Sequence, residues 1–170
     1  MSFPRRFVLS CNRRLRLPGL QPTLREGQMH VETILKSKGR DVVTIAESAD
    51  LAAAAQALDA NGIGALVVND ARGRPVAVLS ERDIVRELAL HGVAALTRPV
   101  SQATTPAFVT AAPDAELNDL MVLMTDRRVR HVPIMDGGEM LGIVSIGDIV
   151  KSKIADMEAE TAALQAYIVS

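Results

Sequence analysis

The chain has 170 residues, 48% of them hydrophobic and 23% charged, with a formal net charge of −1, which suits one or two small domains. Aromatic residues make up only 2%, which argues against a stacking platform for single-stranded nucleic acid, and the single cysteine excludes an internal disulfide or a cysteine-based zinc site. No segment approaches the roughly 20 consecutive apolar residues of a membrane span, so we expect no membrane association.

Residues 1–28 differ from the rest of the chain, because they hold six arginines against one acid, Glu26, and show no hydrophobic periodicity. Three interpretations fit them: a disordered basic arm, an arginine-rich transit segment, or an extension created by a start codon read too early, since Met29 directly precedes the first patterned segment. We expect this extension to lie outside the fold. The remaining chain is acidic, which argues against binding to nucleic acid.

An internal repeat organises the rest of the chain. Residues 41–85 align with residues 107–150 at an offset of 66, which falls to 65 after a one-residue gap. Asp70 then meets Asp136, and the Ser-x-x-Asp sequence at Ser80 meets the one at Ser145. A unit of about 60 residues buries only about 60% of its unfolded surface, so we expect the two copies to pack together through their sheets.

The first copy predicts the order strand, helix, strand, strand, helix. A strand at 42–45 precedes a helix with Ser48 as its N-cap, which ends at Asn61-Gly62. Strands at 63–68 and 76–79 flank a hairpin turn at 69–73. The stripe of the first helix consists of Leu51, Ala54, Ala55 and Leu58.

The second copy predicts the same order of elements. Strands at 129–135 and 141–144 flank the turn Asp136-Gly137-Gly138, and a long helix covers 148–168. The helix before them carries the stripe Leu117, Leu120, Met121 and Met124. We predict an α/β (α+β) fold of two β-α-β-β-α units, with a first repeat at 29–92, a linker at 93–105 and a second repeat at 106–170.

Both copies place a serine at the start of the last helix and an aspartate three residues later, Ser80 with Asp83 and Ser145 with Asp148. One interpretation is a capping box, in which each side chain satisfies a backbone amide of the other residue. Another is a nucleotide site, because a helix N-terminus attracts anions and a carboxylate accepts hydrogen bonds from a ribose diol. The residues alone are compatible with both.

The repeat resembles a tandem pair of CBS (cystathionine-β-synthase) domains, also called a Bateman module. The family's nucleotide-binding motif is matched by residues 76–83 and by residues 141–148, and residues 127–134 resemble its middle strand. The resemblance covers residues 29–170. It implies two units related by a pseudo-twofold axis, with an adenine nucleotide bound in the cleft between them.

The resemblance assigns a role to each matching position. Asp83 and Asp148 would hold the ribose hydroxyls, and Ser80 and Ser145 would lie near the ribose and phosphate. The adenine contacts would come from Ala65, Leu66, Val132 and Pro133, and the phosphate contacts from Arg130, His131 and Arg82. Near the ligand in the first strands, or just before them, would lie Thr44, Thr105, Pro106 and Thr110.

The two copies depart from each other where the phosphate would bind. The second has Arg130-His131 where the first has Gly64-Ala65, so we expect one site to hold phosphate more tightly. The alternatives are a partly buried strand histidine and a solvated basic cluster of Arg127, Arg128 and Arg130. A further departure is Ala103-Thr104, where the family often has Met-Thr.

Catalysis finds no support in the sequence. Gly62-Ile63-Gly64 lacks the third glycine of a dinucleotide fingerprint, no phosphate-binding loop occurs, and neither serine lies in a Gly-x-Ser-x-Gly elbow. The three histidines show no metal-ligand spacing. We therefore predict no catalytic residues, no metal and no catalytic cofactor.

The resemblance implies a non-enzymatic, cytoplasmic homodimer that senses cellular energy and signals to an unidentified regulated protein. AMP is the first candidate ligand, with ADP, ATP and NAD(H) as alternatives. A structural dimerisation module without a ligand is a competing interpretation, and nucleotide hydrolysis is a weaker one.

Overall fold

The computed structural model describes residues 30–104 and 108–169. The predicted extension 1–28 and the candidate site residues Thr105 and Pro106 lie outside this range. The described chain divides into two compact units, the first formed by 41–104 and 108–110 and the second by 30–40 and 111–169. The elements in chain order are α1 (Val31–Lys38), β1 (Thr44–Ala46), α2 (Leu51–Asn61), β2 (Ala65–Asn69), β3 (Pro75–Ser80), α3 (Glu81–His91), a 3-10 helix (Gly92–Thr97), α4 (Val100–Ala103), α5 (Leu117–Arg127), β4 (His131–Asp136), β5 (Glu139–Ser145) and α6 (Ile146–Val169).

A three-stranded sheet with the order β1-β2-β3 forms the centre of the first unit. β1 runs parallel to β2, and β2 runs antiparallel to β3, with Ala65 opposite Ser80. The predicted hairpin is present, and its turn is held by Asp70, which accepts hydrogen bonds from the amides of Arg72 and Arg74 at 2.9 Å. The side-chain hydrogen bonds from Arg74 lower the pKa of Asp70 to about 2. Apolar side chains of α2, β2, β3, α3 and α4 form the core.

The start of α2 differs from the prediction of Ser48 as its N-cap. The helix begins at Leu51, and the N-cap is Asp50, whose Oδ1 accepts a hydrogen bond from the Ala53 amide at 2.8 Å. The aspartate is correctly spaced to bond the third helical amide, which is the donor that an N-cap side chain satisfies. The predicted end is confirmed, since Gly62 follows the helix in the left-handed conformation with φ of 60°.

The second unit is built on the β4-β5 hairpin, in which His131 lies opposite Ser145. The first strand of this copy shrinks to one bridge, where Ala111 donates to Pro133 and accepts from Met135. In the first unit the sheet continues, because the Glu47 amide donates to Asn69 at 2.9 Å. The position equivalent to Glu47 is Pro113, which has no amide hydrogen, so the strand stops there.

Helix α1 packs in the second unit, although the sequence prediction placed residues 29–92 together in the first. Its apolar face, Val31, Ile34 and Leu35, is at most 4% exposed and joins the core that α5, β4, β5 and α6 form. The Val31 amide donates to Ala115 at 3.0 Å. β5 admits the helix closely because Gly142 lacks a side chain: a Cβ there would lie 2.8 Å from Leu35 Cδ2.

Helix α4 is the counterpart of α1 in the first unit. The Val100 amide donates to Ala49 at 2.8 Å, and Ala49 is the repeat equivalent of Ala115. The segment predicted as a linker, 93–105, thus contributes Ala95, Val100 and Ala103 to the buried interior, each at most 1% exposed. Each repeat is completed by a short helix that lies outside the β-α-β-β-α pattern.

A buried ion pair fastens the 3-10 helix to α3. Glu87 is 6% exposed and is the one buried charged residue in the described part of the chain. Its carboxylate lies 3.3 Å from Nε of Arg98 and 3.6 Å from Nε2 of His91. The contact is electrostatic, since neither Glu87 Oε2 nor Arg98 Nε has a hydrogen-bond partner among the described residues. Removing one partner would leave an uncompensated charge between the two helices.

The contact of α1 with Gly142 predicts the sign of one substitution. We expect Gly142→Ala to destabilise the protein by roughly 1–3 kcal/mol, because the added methyl group overpacks against Leu35. At an open strand position the same change would stabilise it, because alanine loses less chain entropy than glycine. Urea unfolding measures the difference.

A double-mutant cycle provides the control. In a Leu35→Ala background the methyl group of Gly142→Ala has space, so its cost should fall to near zero or change sign. Additive effects of the two substitutions would contradict the close packing of Leu35 against Gly142.

Candidate functional site

Both hairpins pass directly into a helix, without a loop. β3 ends at Ser80 and α3 begins at Glu81, while β5 ends at Ser145 and α6 begins at Ile146. The first helical amide bonds back to the start of the neighbouring strand: Glu81 donates to Gly64 at 3.2 Å and Ile146 to Arg130 at 2.9 Å. We call these two positions the Ser80–Asp83 junction and the Ser145–Asp148 junction.

At the Ser80–Asp83 junction a capping box forms, as one of the two interpretations of the sequence predicts. Asp83 Oδ2 accepts hydrogen bonds from the Ser80 amide at 2.9 Å and from the Ser80 hydroxyl at 2.6 Å. Asp83 Oδ1 lies 3.2 Å from Nη1 of Arg86, one turn along the same helix. Both carboxylate oxygens therefore have a partner.

The Ser145–Asp148 junction contains the same box. Asp148 Oδ2 accepts from the Ser145 amide at 2.8 Å and from its hydroxyl at 2.7 Å, and the Asp148 amide donates to the same hydroxyl at 3.2 Å. Asp148 Oδ1 accepts no hydrogen bond from any residue that the structure describes. This oxygen is the acceptor that the first junction does not offer.

Lys38 is a residue of this site that sequence reasoning missed. It lies in the last turn of α1, and its Nζ is 2.6 Å from Asp148 Oδ2 and 3.3 Å from the carbonyl oxygen of Ile143. Burial raises the pKa of Asp148, but the hydrogen bonds from Lys38 and Ser145 outweigh it, so the pKa lies below the usual 3.8. The carboxylate is charged and held in place at neutral pH.

The strand register brings the predicted middle-strand residues beside the serines. His131 pairs with Ser145 and Ala65 pairs with Ser80. Val132 and Leu66, both fully buried, point into the cores of their units, so only their backbone is available to a ligand. Because side chains alternate along a strand, His131 and Pro133 lie on the opposite face from Val132.

The remaining predicted residues are exposed or half-buried. Arg130 and Arg82 are exposed, Thr44 is exposed on β1, and Thr110 is half-buried just before the Ala111 bridge. Among the described residues, the side chains of Arg82 and Arg130 form no hydrogen bond or ion pair, so both remain available to a phosphate. The structure thus groups Arg130, His131, Ser145 and Asp148 in one unit, and Thr44, Ala65, Ser80, Arg82 and Asp83 in the other.

The part of the chain that the structure describes contains neither a metal-binding cluster nor a membrane-spanning helix. Within residues 30–104 and 108–169, no three histidine, cysteine or acidic side chains come together as a metal ion would require. Across the same residues, no helix combines the length and apolar character needed to cross a membrane.

Comparison with known proteins agrees with this geometry. The sequence model of the CBS domain matches residues 34–90 and 100–154. The two matches therefore begin in α1 and α4, the two counterpart helices that complete the repeats. A mitochondrial CBS domain-containing protein of Arabidopsis thaliana is 29% identical over 146 residues, which is 81% of this chain and 71% of that protein. Matches to two further curated relatives span 64% and 66% of their lengths.

Solved structures show the same similarity. A CBS-domain containing protein from Agrobacterium tumefaciens has a TM-score of 0.70 at 42% identity, over 73% of this chain and 98% of that one. A CBS domain protein from Pyrobaculum aerophilum, solved in complex with AMP, has a TM-score of 0.63 at 28% identity, over 71% and 89% of the two chains. With two matched repeats that cover more than half of its length, this chain belongs to the CBS domain family and carries a tandem CBS pair.

Proposed function

We propose that this protein is a non-enzymatic regulatory module that binds an adenine nucleotide at its Ser–Asp junctions, with AMP as the first candidate. The observation that carries the proposal is the Ser145–Asp148 junction, where an ordered, charged carboxylate stands at the start of a helix. The relative from Pyrobaculum aerophilum that holds AMP supports the choice of ligand. ADP, ATP and NAD(H) share the adenosine group and are the competing ligands.

The chemistry of the junction suits a ribose. Asp148 Oδ1 has no donor among the described residues, and a ribose hydroxyl is a donor of the right kind for a charged carboxylate. The capping box keeps Oδ2 occupied, so the carboxylate does not have to lose an existing bond when a ribose binds. At the first junction a ribose would have to compete with Arg86 for Asp83 Oδ1.

The positive charge near the second junction suits a phosphate. Arg130 directly precedes the strand that pairs with β5, and His131 is the first residue of that strand, opposite Ser145. Their repeat equivalents, Gly64 and Ala65, have no polar side chain that could bind a phosphate. A charge-assisted hydrogen bond contributes about 1.5–3 kcal/mol. We therefore assign the tighter phosphate binding to the residues of the second unit.

Ligand binding would regulate the protein by stabilising its folded state and by shifting the populations of its conformations. A ligand that binds only the folded state, at 100 times its dissociation constant, stabilises that state by about 2.7 kcal/mol. Differential affinity for two conformations would shift their populations and alter contact with a regulated protein.

The second candidate function is a structural module without a ligand. It is favoured by one observation, that each aspartate already bonds the amide and the hydroxyl of the serine three residues before it, so both capping boxes are complete within the chain. In that case the serines and aspartates serve only to start α3 and α6.

Substitution of the two aspartates separates these functions. We expect Asp148→Ala and Arg130→Ala each to weaken AMP binding by roughly 10- to 100-fold, the factor that corresponds to one lost charge-assisted hydrogen bond. Asp83→Ala should have a smaller effect on the tight site. Isothermal titration calorimetry gives the affinities, and Asp136→Ala, at the exposed end of β4, is the matched control.

Stability measurements on the same variants complete the test. If both aspartate variants lose about 1 kcal/mol of stability, as lost helix caps do, and still bind AMP as the parent does, the structural function is correct. Thermal shift with AMP, ADP, ATP and NADH ranks the ligands, and no response to any of them would also overturn nucleotide binding.

The Lys38–Asp148 pair predicts a pH effect. Because the folded pKa of Asp148 is lowered, its contribution to stability is present above the usual pKa of 3.8 and is lost as the pH falls through the folded value. We expect Lys38→Met to raise the pKa of Asp148, since burial then meets less opposition, and to weaken this acid-dependent loss. Carboxyl NMR titration measures the pKa directly.

Lys36→Met is the matched control for this substitution. Lys36 lies on the same helix and pairs with Glu32 at 3.0 Å, but it does not reach Asp148. An Asp148 titration that Lys38→Met leaves unchanged would show that the ion pair is absent in solution.

A further inference from the structure

The C-terminal helix α6 extends well beyond the core of its unit. It has 24 residues, or about 36 Å at the usual rise of 1.5 Å per residue. Ile149 is its one buried residue among 146–168, and every residue from 154 to 168 is exposed. An isolated helix of 12–15 residues is marginal in water, so an exposed helical stretch of this length calls for a partner.

The exposed apolar residues of α6 follow a heptad pattern. They recur at alternating spacings of four and three residues, and the polar Thr161 occupies one position of the series. We call these six residues the heptad stripe: Val150, Ile154, Met157, Thr161, Leu164 and Ile168. The five apolar members are 45–82% exposed. In heptad terms, Ile154, Thr161 and Ile168 take the a positions, and the other three take the d positions.

Thr161 does not break the stripe. Its hydroxyl donates to the carbonyl oxygen of Met157 at 2.7 Å, within the same helix. The polar atom is therefore satisfied before any second helix approaches, and it adds little desolvation cost at an interface. The stripe supplies six consecutive a and d positions, five of them apolar, which approaches the three heptads that indicate a coiled coil.

The charges beside the stripe select the orientation of a second helix. Lys153 and Glu160 occupy the g positions, and Lys151 and Glu158 the e positions. In a parallel, in-register pair, each g residue faces the next e residue of the other chain, so Lys153 meets Glu158 of the partner subunit, twice by symmetry. An antiparallel pair centred on Met157 and Thr161 would instead place Glu158 near Glu158 of the partner subunit, which is repulsive.

We propose that the heptad stripe of α6 is a docking surface for α6 of a second copy of this chain, in a parallel two-stranded coiled coil. The pattern supplies the apolar seam and the flanking charges supply the direction. The occupant that competes with a second copy is the chain's own segment 1–29.

Disulfide trapping tests the orientation in the full chain. With Cys11→Ser as the background, Thr161→Cys places two thiols opposite each other at an a layer of a parallel pair, and oxidation should yield a disulfide-linked dimer. Ala159→Cys, at the outer f position of the same helix, is the matched control and should cross-link at least about tenfold more slowly, because it lacks the high effective concentration of paired thiols. Equal rates at both positions would overturn the proposal.

Charge reversal tests the pairing without new cysteines. We expect Lys153→Glu to weaken self-association by roughly tenfold, because two attractive contacts become repulsive, and Glu158→Lys added to it to restore the affinity. Sedimentation equilibrium measures both. A double variant that associates no better than Lys153→Glu alone would overturn the parallel arrangement.

Deletion of residues 1–29 distinguishes the competing occupant. A full chain that stays monomeric at high micromolar concentration and associates only after this deletion would overturn the proposal and assign the stripe to the chain's own N-terminal segment. Disulfide-linked dimers of the Thr161→Cys variant that form equally well in the full chain and after the deletion support the proposal.

Discussion

The direct passage from strand to helix at Ser80 and Ser145 is the constraint on which the rest of each unit depends. With no loop to absorb a mismatch, the register of the hairpin also sets where the helix begins and which way it leaves the sheet. The capping box holds this corner, because each aspartate bonds the amide and hydroxyl of the serine three residues before it. The candidate ligand groups are placed by the same hydrogen bonds that start the helix.

The two junctions diverge because different cations reach them. Asp83 pairs with Arg86 of its own helix, whereas Asp148 pairs with Lys38 of α1. The first pair occupies Oδ1 and the second occupies Oδ2, so only the second carboxylate keeps an oxygen open among the described residues. A duplicated unit thus carries two electrostatically different sites, and the difference comes from one lysine outside the repeat pattern and one arginine inside it.

The sequence predicted the elements whose signals are local. Strand pairs around short turns, the Gly62 helix end and the capping boxes depend on neighbouring residues, and the internal repeat doubled each of these signals. The CBS family assignment is confirmed on the same motifs. The prediction of Ser48 as the N-cap was wrong because Asp50, two residues later, is an equally good cap, and only the actual helix start shows which residue is used.

The features that escaped prediction depend on contacts between distant residues. Lys38 and Asp148 are 110 positions apart, and nothing near either residue indicates the other. The position of α1 in the second unit depends on the absence of a side chain at Gly142. From the sequence alone, this glycine indicates only a residue of low strand propensity. The loss of the first strand at Pro113 was visible in principle, because proline cannot donate to a sheet.

The placement of α1 also sets an order of assembly. The first unit is made from one continuous stretch of the described chain, so all of its described parts have been synthesised once residue 110 is in place. The second unit must bring α1 back to β5 and α6 across more than 100 intervening residues, and closing so long a loop costs entropy that local contacts do not. During synthesis the first unit can therefore fold before the second unit is complete. Helix α1 packs into the second unit only after β5 and α6 have been made.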